Sequence, residues 1–302
     1  MPYPIFELPD DAPIQLEQLG TKTKFWYYGP RGQKMLFKEG RPGTGENWAE
    51  KVCCEICKLL ALPHADYELA VWKGRSGVVT PSFVPDGGRL VLGNELLARI
   101  VGQYDQSARF HARQHTVRIV LKVVSDPRIA FPHSWQSPDA ISDAAGVFAG
   151  YLLLDALVSN QDRHHENWGL IFVPGQEEVF FAPTFDHASS LGRNETDETR
   201  AERLTTKDKG RSVEAYVERA RSAFFATPAS VKPLKTLDAF REAAKIRPAA
   251  ADYWRERLAA IDPIQYSDIL DEVPDTEISE PARDFACRML EINAKRLLDL
   301  KA

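Results

Sequence analysis

The sequence predicts an α+β protein of two unequal lobes, a small β-rich one followed by a larger, mostly helical one. Three observations carry this. Residues 14–83 alternate short aromatic or apolar runs with glycine and proline around a single helical segment. The turn VPDGG at 84–88 marks a boundary, beyond which the apolar spacing becomes mostly helical. A late return to strand-like text, WGLIFV and VFFAP around PGQEE, puts a hairpin inside the helical part. The lobes are expected at 1–85 and 86–302.

The elements follow in order. IQLEQLGTKTKFWYYGPRGQKMLFKEG is strand, turn, strand, loop, strand, punctuated by Gly20, Gly29-Pro30 and Gly32. KFWYY and MLFK are aromatic and apolar enough for strands. After the loop RPGTGE, apolar spacing at Val52, Ile56, Leu59 and Leu60 predicts the one main helix of the first lobe, about 48–60. YELAVW and SGVVTPSFV give two more strands, so the order is β-β-α-β-β. Helices are expected near 93–101, 109–124, 139–158, 209–223, 234–245, 249–260 and 280–300. The segment 139–158 is the most apolar and should be a central buried helix. The charged stretch 193–212 is expected to be a solvated loop.

Composition excludes several classes. A chain of 302 residues with 44% hydrophobic residues can bury a sizeable core. Its formal net charge of -5 lacks the basic footprint of a nucleic-acid binder, so no direct nucleic-acid binding is expected. No apolar run reaches the roughly 18 residues of a membrane helix, and the N-terminus has no basic segment followed by an apolar one. A cytoplasmic location with no membrane partner is the expectation. Cys54 and Cys57 form a lone C-x-x-C on the 48–60 helix, without a second pair or a histidine at zinc spacing, and the expected role of the cysteines is apolar packing in a reducing compartment.

The chemistry concentrates in SNQDRHHENWGLIF, residues 159–172. Asp162 follows a helix end, Asn167 lies five residues on, and Asp186 follows the hairpin, 24 residues after Asp162. A hairpin returns its far end beside its start, so the three can converge. Phosphoryl transfer from ATP needs such a set: one carboxylate for the acceptor hydroxyl, and an amide oxygen with a second carboxylate for Mg²⁺. Hard oxygen ligands suit magnesium, whereas the pair His164 and His165 would suit zinc. Asp-x-x-x-x-Asn, a hairpin and then Asp is the pattern of protein-kinase-like folds. Such a fold also needs a lysine on a strand and a glutamate on the next helix. Lys38 ends MLFK, and Glu50 lies twelve residues later. A phosphate-covering loop belongs between the first strands, where LGTKTK stands with one glycine. The nucleotide is expected between the lobes near 83–88, against Phe83 and Val84.

Several of these residues have plainer readings. Asp162 and Asn167 can cap a helix and order a turn. One of the two histidines can pack against the loop or bond the backbone near Asp186. Arg163 either neutralises a phosphorylated residue or makes a surface ion pair. Trp48 and Trp168 are expected to pack, and Lys22 and Lys24 to be solvated.

Taken together, the chain resembles the HipA-like kinases, a bacterial branch of the protein-kinase-like superfamily. The resemblance rests on LFK with Lys38, on GENWAEKVCCEICKLLALPHADYELA with Glu50, on GVVTPSFVPDGGRLVLGNELL, on NQDRHHENWGL and on APTFDHASSLG, and it covers nearly the whole chain. It implies an ATP- and Mg²⁺-dependent Ser/Thr protein kinase. Carried over by position, Asp162 is the catalytic base, Asn167 and Asp186 are the metal ligands, Lys38 holds phosphate and Glu50 is its partner. Gly20, Thr21, Lys22 and Thr23 cover the phosphates, and Thr21 and Thr23 are candidates for autophosphorylation. The longer toxin members carry an additional N-terminal subdomain, whereas this chain begins almost at the phosphate loop and is expected to be a stand-alone kinase. The resemblance allows for a separate antitoxin or regulatory chain besides the protein substrate. Two alternatives stay open: a lipid or small-molecule kinase of the same superfamily, and a nucleotide-binding pseudokinase.

Overall fold

Residues 1–16 and 23–300 are described by a computed structural model. The first lobe holds β1 (Ile5–Leu8), β2 (Gln15–Leu16), β3 (Lys24–Tyr28), β4 (Lys34–Glu39), α1 (Glu46–Leu60), β5 (Glu68–Trp72) and β6 (Arg75–Pro81). The strands form one sheet in the order β1-β5-β6-β4-β3-β2. Side chains alternate across it. Phe37 of β4 packs on one face with Phe25, Ala70 and Val79, its ring 5.0 Å from that of Phe25. The next residue, Lys38, is therefore turned toward the α1 side. Gly77 of β6 lies beside Lys38, and a Cβ there would stand 2.3 Å from the Lys38 carbonyl oxygen, so only glycine lets the two strands close at this point.

The sheet begins earlier than the sequence predicts. β1 lies within 5–8 and pairs in parallel with β5, Ile5 opposite Leu69. Four residues between Pro4 and Pro9, three of them exposed, give no periodic signal of their own, and the ladder is supplied by a partner far along the chain.

The second lobe holds β7 (Arg89–Leu92), α2 (Gly93–Ile100), α3 (Val117–Val124), β8 (Ile129–Ala130), α4 (Ala144–Leu157), β9 (Gly169–Phe172) and β10 (Val179–Phe181). After these come α5 (Asp197–Thr205), α6 (Val213–Arg219), α7 (Thr236–Ile246), α8 (Pro248–Ala259), α9 (Ile264–Asp271) and α10 (Glu280–Leu298). β9 and β10 form the expected hairpin, Phe180 opposite Ile171, within a small sheet ordered β7-β9-β10-β8. All residues of α4 are buried, as its apolar composition predicts. Helix starts are sharper than periodicity suggests. Thr116 caps α3 and Asp143 caps α4 by accepting from Gly146 N at 2.8 Å, so these helices begin at 117 and 144.

The charged stretch 193–212 is a second departure. It contains α5, capped by Thr196 with Asp197 and Glu198 in its first turn. Arg200 donates to the Gly192 carbonyl at 3.1 Å and Arg203 pairs with Glu195 at 2.7 Å, so charge anchors this helix where apolar spacing is weak. Among the described residues no helix is long and apolar enough to cross a membrane.

One continuous core joins the lobes. Trp48, Val52 and Leu60 of α1 belong to the same buried cluster as Phe148 of α4 and Trp254 of α8. Gly150 lets Leu62 and Trp254 settle on α4, where an added Cβ would lie 2.6 Å from the indole. Trp48 and Trp168 are packing residues, each 2% exposed.

Candidate active site

β4, α1 and the segment after β10 meet at one buried charge cluster. Lys38 Nζ donates to Glu50 Oε2 at 2.8 Å and to Asp186 Oδ1 at 2.8 Å. Lys38 and Glu50 are buried, while the Asp186 side chain keeps 29% of its surface toward solvent. Burial by itself would neutralise Lys38, but the Asp186 and Glu50 carboxylates override it and hold the ammonium well above the ordinary lysine value. Burial likewise opposes the Glu50 charge, and Lys38 with the His187 hydrogen bond keeps that carboxyl below its usual range. Glu50 Oε1 also accepts from His187 N at 2.5 Å, so the helix glutamate is tied to the residue that follows Asp186. Desolvation lowers the His187 pKa and favours the neutral ring, whose Nε2 faces the Thr184 hydroxyl at 2.7 Å.

Asp186 has φ 60, in the left-handed region, which aspartate tolerates better than β-branched residues. That conformation turns the chain sharply out of the hairpin. Its N–H points to the Tyr67 hydroxyl at 3.4 Å. The Phe185 ring stacks on Phe83 with centroids 5.5 Å apart, which puts the inter-lobe segment beside the loop that carries Asp186. Val84, next along, is turned by reciprocal bonds with the Ser82 hydroxyl, 3.0 and 3.3 Å.

The 160–167 loop is fixed from inside. Asn160 Oδ1 accepts from Asp162 N at 3.0 Å, and Asn167 Nδ2 donates to the Asp162 carbonyl at 2.6 Å. With its nitrogen so committed, the Asn167 amide offers its oxygen for a cation. The Asp162 carboxylate accepts from Ser189 Oγ at 3.1 Å, and its other oxygen lies 3.4 Å from His164 Nε2. Glu166 N donates to His164 Nδ1 at 3.1 Å, which places the proton of the neutral ring on Nε2, facing Asp162.

Arg163 matches neither role expected for it. It is fully buried. Its Nε and Nη2 form a fork on Asp155 of α4 at 2.9 and 2.8 Å. Its Nη1 donates to the carbonyls of Asn167 at 2.9 Å and Phe185 at 3.5 Å. One guanidinium thus braces the backbone at Asn167 against the residue before Asp186, from a carboxylate on the central helix. Asp155 escaped the sequence reading because it sits inside the apolar run LLLDALV, where a lone acid gives a signal only if an arginine is assigned to it.

The histidines pack. Tyr104 OH lies 2.6 Å from His165 Nδ1, and His165 is held near a pKa of about 4 by desolvation. His115, also unremarked in the sequence, accepts from Trp168 Nε1 at 3.1 Å and meets the Ala223 carbonyl through Nδ1 at 3.1 Å. Burial depresses it to about 3, so it is a neutral bridge under the β9 strand.

Of the residues singled out from sequence, Lys38, Glu50 and Asp186 are in direct contact. Asp162 and Asn167 form a second group, joined to the first through Arg163. Gly20, Thr21 and Lys22 lie outside the described residues. Thr23 is described, and its carbonyl accepts from Glu39 N at 3.0 Å at the end of the Lys38 strand.

No protein-family model and no curated protein sequence matches the chain. Solved structures do match. The proinflammatory kinase CtkA of Helicobacter pylori superposes with a TM-score of 0.73 at 19% identity, over 99% of this chain and 100% of that one. HipA of Shewanella oneidensis MR-1, solved with HipB and its operator DNA, gives 0.58 at 13% identity over 97% of this chain and 69% of its own. The two-lobed α+β architecture read from the sequence is the fold of these kinases.

Proposed function

We propose, from a chain with the HipA-like form of the protein-kinase-like fold, that it is an ATP- and Mg²⁺-dependent Ser/Thr protein kinase with lobes at 1–85 and 86–302. The observation that carries this is Lys38 held at 2.8 Å from both Glu50 and Asp186, beside a loop whose Asp162 and Asn167 are locked by each other. Mg²⁺-ATP supplies the phosphoryl group and the cation that offsets its charge.

The donor set fits that cofactor. Asp186 and Asn167 present hard oxygens, and magnesium prefers one or two carboxylates with phosphate and water. Lys38 presents its ammonium to the α- and β-phosphates, and Glu50 fixes its rotamer. Asp162, partly exposed and oriented by Ser189 and His164, takes the proton of the acceptor hydroxyl. Phe83 and Val84 line the base of the nucleotide cleft. By the resemblance, Gly20, Thr21, Lys22 and Thr23 would cover the phosphates, with Thr21 and Thr23 as the candidate autophosphorylation sites. A cytoplasmic location for the chain, a protein substrate and a separate antitoxin or regulatory chain complete the proposal. HipA, with HipB in its structure, supports the latter as an analogy only.

Incubation with γ-labelled ATP and cell lysate tests it. Wild type should label protein, and Asp162→Ala and Asp186→Ala should each lose at least ~10²-fold while both still unfold in a cooperative melting transition. Label confined to a lipid fraction, or labelling by both variants equal to that of wild type, contradicts the assignment.

A further inference from the structure

The α1–β5 connection, one turn along α1 from Glu50, brings together three side chains that phosphoryl transfer does not use. Cys54 of α1 is 1% exposed, and His64 and Asp66 follow the helix end. One ligand atom of each, the Cys54 sulfur, a His64 ring nitrogen and an Asp66 carboxylate oxygen, lies within 4.8 Å of the others. This is the histidine that the C-x-x-C spacing gave no reason to expect. Ala61 ends α1 in the left-handed conformation, and the chain doubles back across the last turn.

The ring orientation is fixed. His64 Nδ1 donates to the Leu62 carbonyl at 2.7 Å, which leaves Nε2 as the atom that faces the cluster. Nε2 is shielded from solvent, has no hydrogen-bond partner among the described residues, and stands 3.4 Å from Asp66 Oδ1. A backbone carbonyl on one imidazole nitrogen, with the other nitrogen aimed at a thiol and a carboxylate, is the arrangement in which histidine binds metal. The Asp66 side chain is 65% exposed, so water can reach a fourth position.

We infer that Cys54, His64 and Asp66 bind one divalent zinc-class cation, with water as the fourth ligand. The S, N and O donors suit a borderline-soft ion, and tetrahedral zinc with bonds of about 2.0 to 2.3 Å is reached by side-chain shifts of about an ångström. Binding releases the thiol proton of Cys54 and the Nε2 proton of His64 to solvent. The ion clips the 61–67 loop to α1. The same loop pairs with the segment before Asp186, through Ala65 N to the Thr184 carbonyl at 2.9 Å and Thr184 N to the Pro63 carbonyl at 3.0 Å. The site is therefore structural and supports the α1 end of the kinase-like core without entering its cleft.

The test uses the full chain, stripped by chelator and titrated with Co²⁺ at about pH 8. The expected result is one equivalent with a sulfur-to-cobalt charge-transfer band, displaced by Zn²⁺, and a raised melting midpoint. Asp66→Asn, a substitution at an exposed side chain, should weaken binding at least ~10-fold, and His64→Ala should abolish the band. Cys287→Ser and Asp186→Asn should leave it unchanged, which separates the site from an adventitious thiol and from the proposed magnesium ligands. A cobalt complex without the sulfur band, no binding at all, or wild-type affinity in folded Asp66→Asn and His64→Ala overturns the inference, whatever the fate of the kinase assignment.

Discussion

Lys38 and Glu50 show how a pair of charges becomes a pH-dependent part of the fold. Glu50 is completely buried, and its charge is tolerated because Lys38 stands 2.8 Å away and His187 N donates to its other oxygen. Its folded pKa therefore lies below the unfolded value of about 4.3, and the stability it contributes is present above that value and lost as pH falls through the folded pKa. Replacing Lys38 by Met removes the largest opposing charge and leaves desolvation dominant, which lifts Glu50 above its unfolded value. Lys38→Met should then be destabilised by about 3 kcal/mol at neutral pH, the scale of an orphaned buried charge, and the deficit should shrink as pH is lowered toward 5. Melting midpoints of the two proteins across that range check this; a constant gap would show that Glu50 does not depend on Lys38. Labelling by Lys38→Met should be lost at every pH. The residues of this pair were legible in the sequence because each stands at a fixed place on a predictable element, one at a strand end and one in the next helix.

At the scale of elements, the decisive contact was invisible for the opposite reason. Arg163 lies beside Asp162 in a polar run and reads as an exposed charge, yet it is buried under the loop and spans α4, the 160–167 loop and the end of the β9–β10 hairpin. Nothing in spacing distinguishes a solvated arginine from one whose carboxylate sits inside an apolar helix. α5 gives as little signal, since its stability comes from a cap and arginine anchors where periodicity is weak. The bracing role of Arg163 makes a graded prediction. Arg163→Ala leaves Asp155 buried without its fork and should cost about 3 to 5 kcal/mol. Arg163→Lys keeps the charge but cannot span a carboxylate and two carbonyls at once. It should recover most of the midpoint while labelling stays depressed, because the Asn167 and Phe185 backbones lose their common donor. Equal recovery of stability and labelling in Arg163→Lys would mean that charge alone is required there.

For the molecule as a whole, the two-lobe description fits the chain order better than the packing. Helix α1 belongs by sequence to the first lobe, but its buried face is continuous with α4 and α8, and its end is clamped from the second lobe. Arg257 of α8 donates to the Leu59 carbonyl at 3.0 Å, and Glu277, between α9 and α10, accepts from Asn47 of α1 and from Ser76 of β6 at 3.1 Å. A helix held on both sides cannot swing outward to separate Glu50 from Lys38 without opening the shared core, so the pair stays formed in the resting protein. Unfolding should accordingly be one cooperative transition by calorimetry, not two. Ligand should move that single transition as a unit: at a nucleotide concentration of 100 times Kd the added stability is about 2.7 kcal/mol, which at about 2.1 cal/mol/K per residue over 302 residues corresponds to roughly 4 °C. Two resolved transitions, with Mg²⁺-ATP shifting only one of them, would show that α1 unfolds with the first lobe alone and that the common core does not couple the halves. One transition shifted whole would place any control of activity outside the Lys38–Glu50 pair.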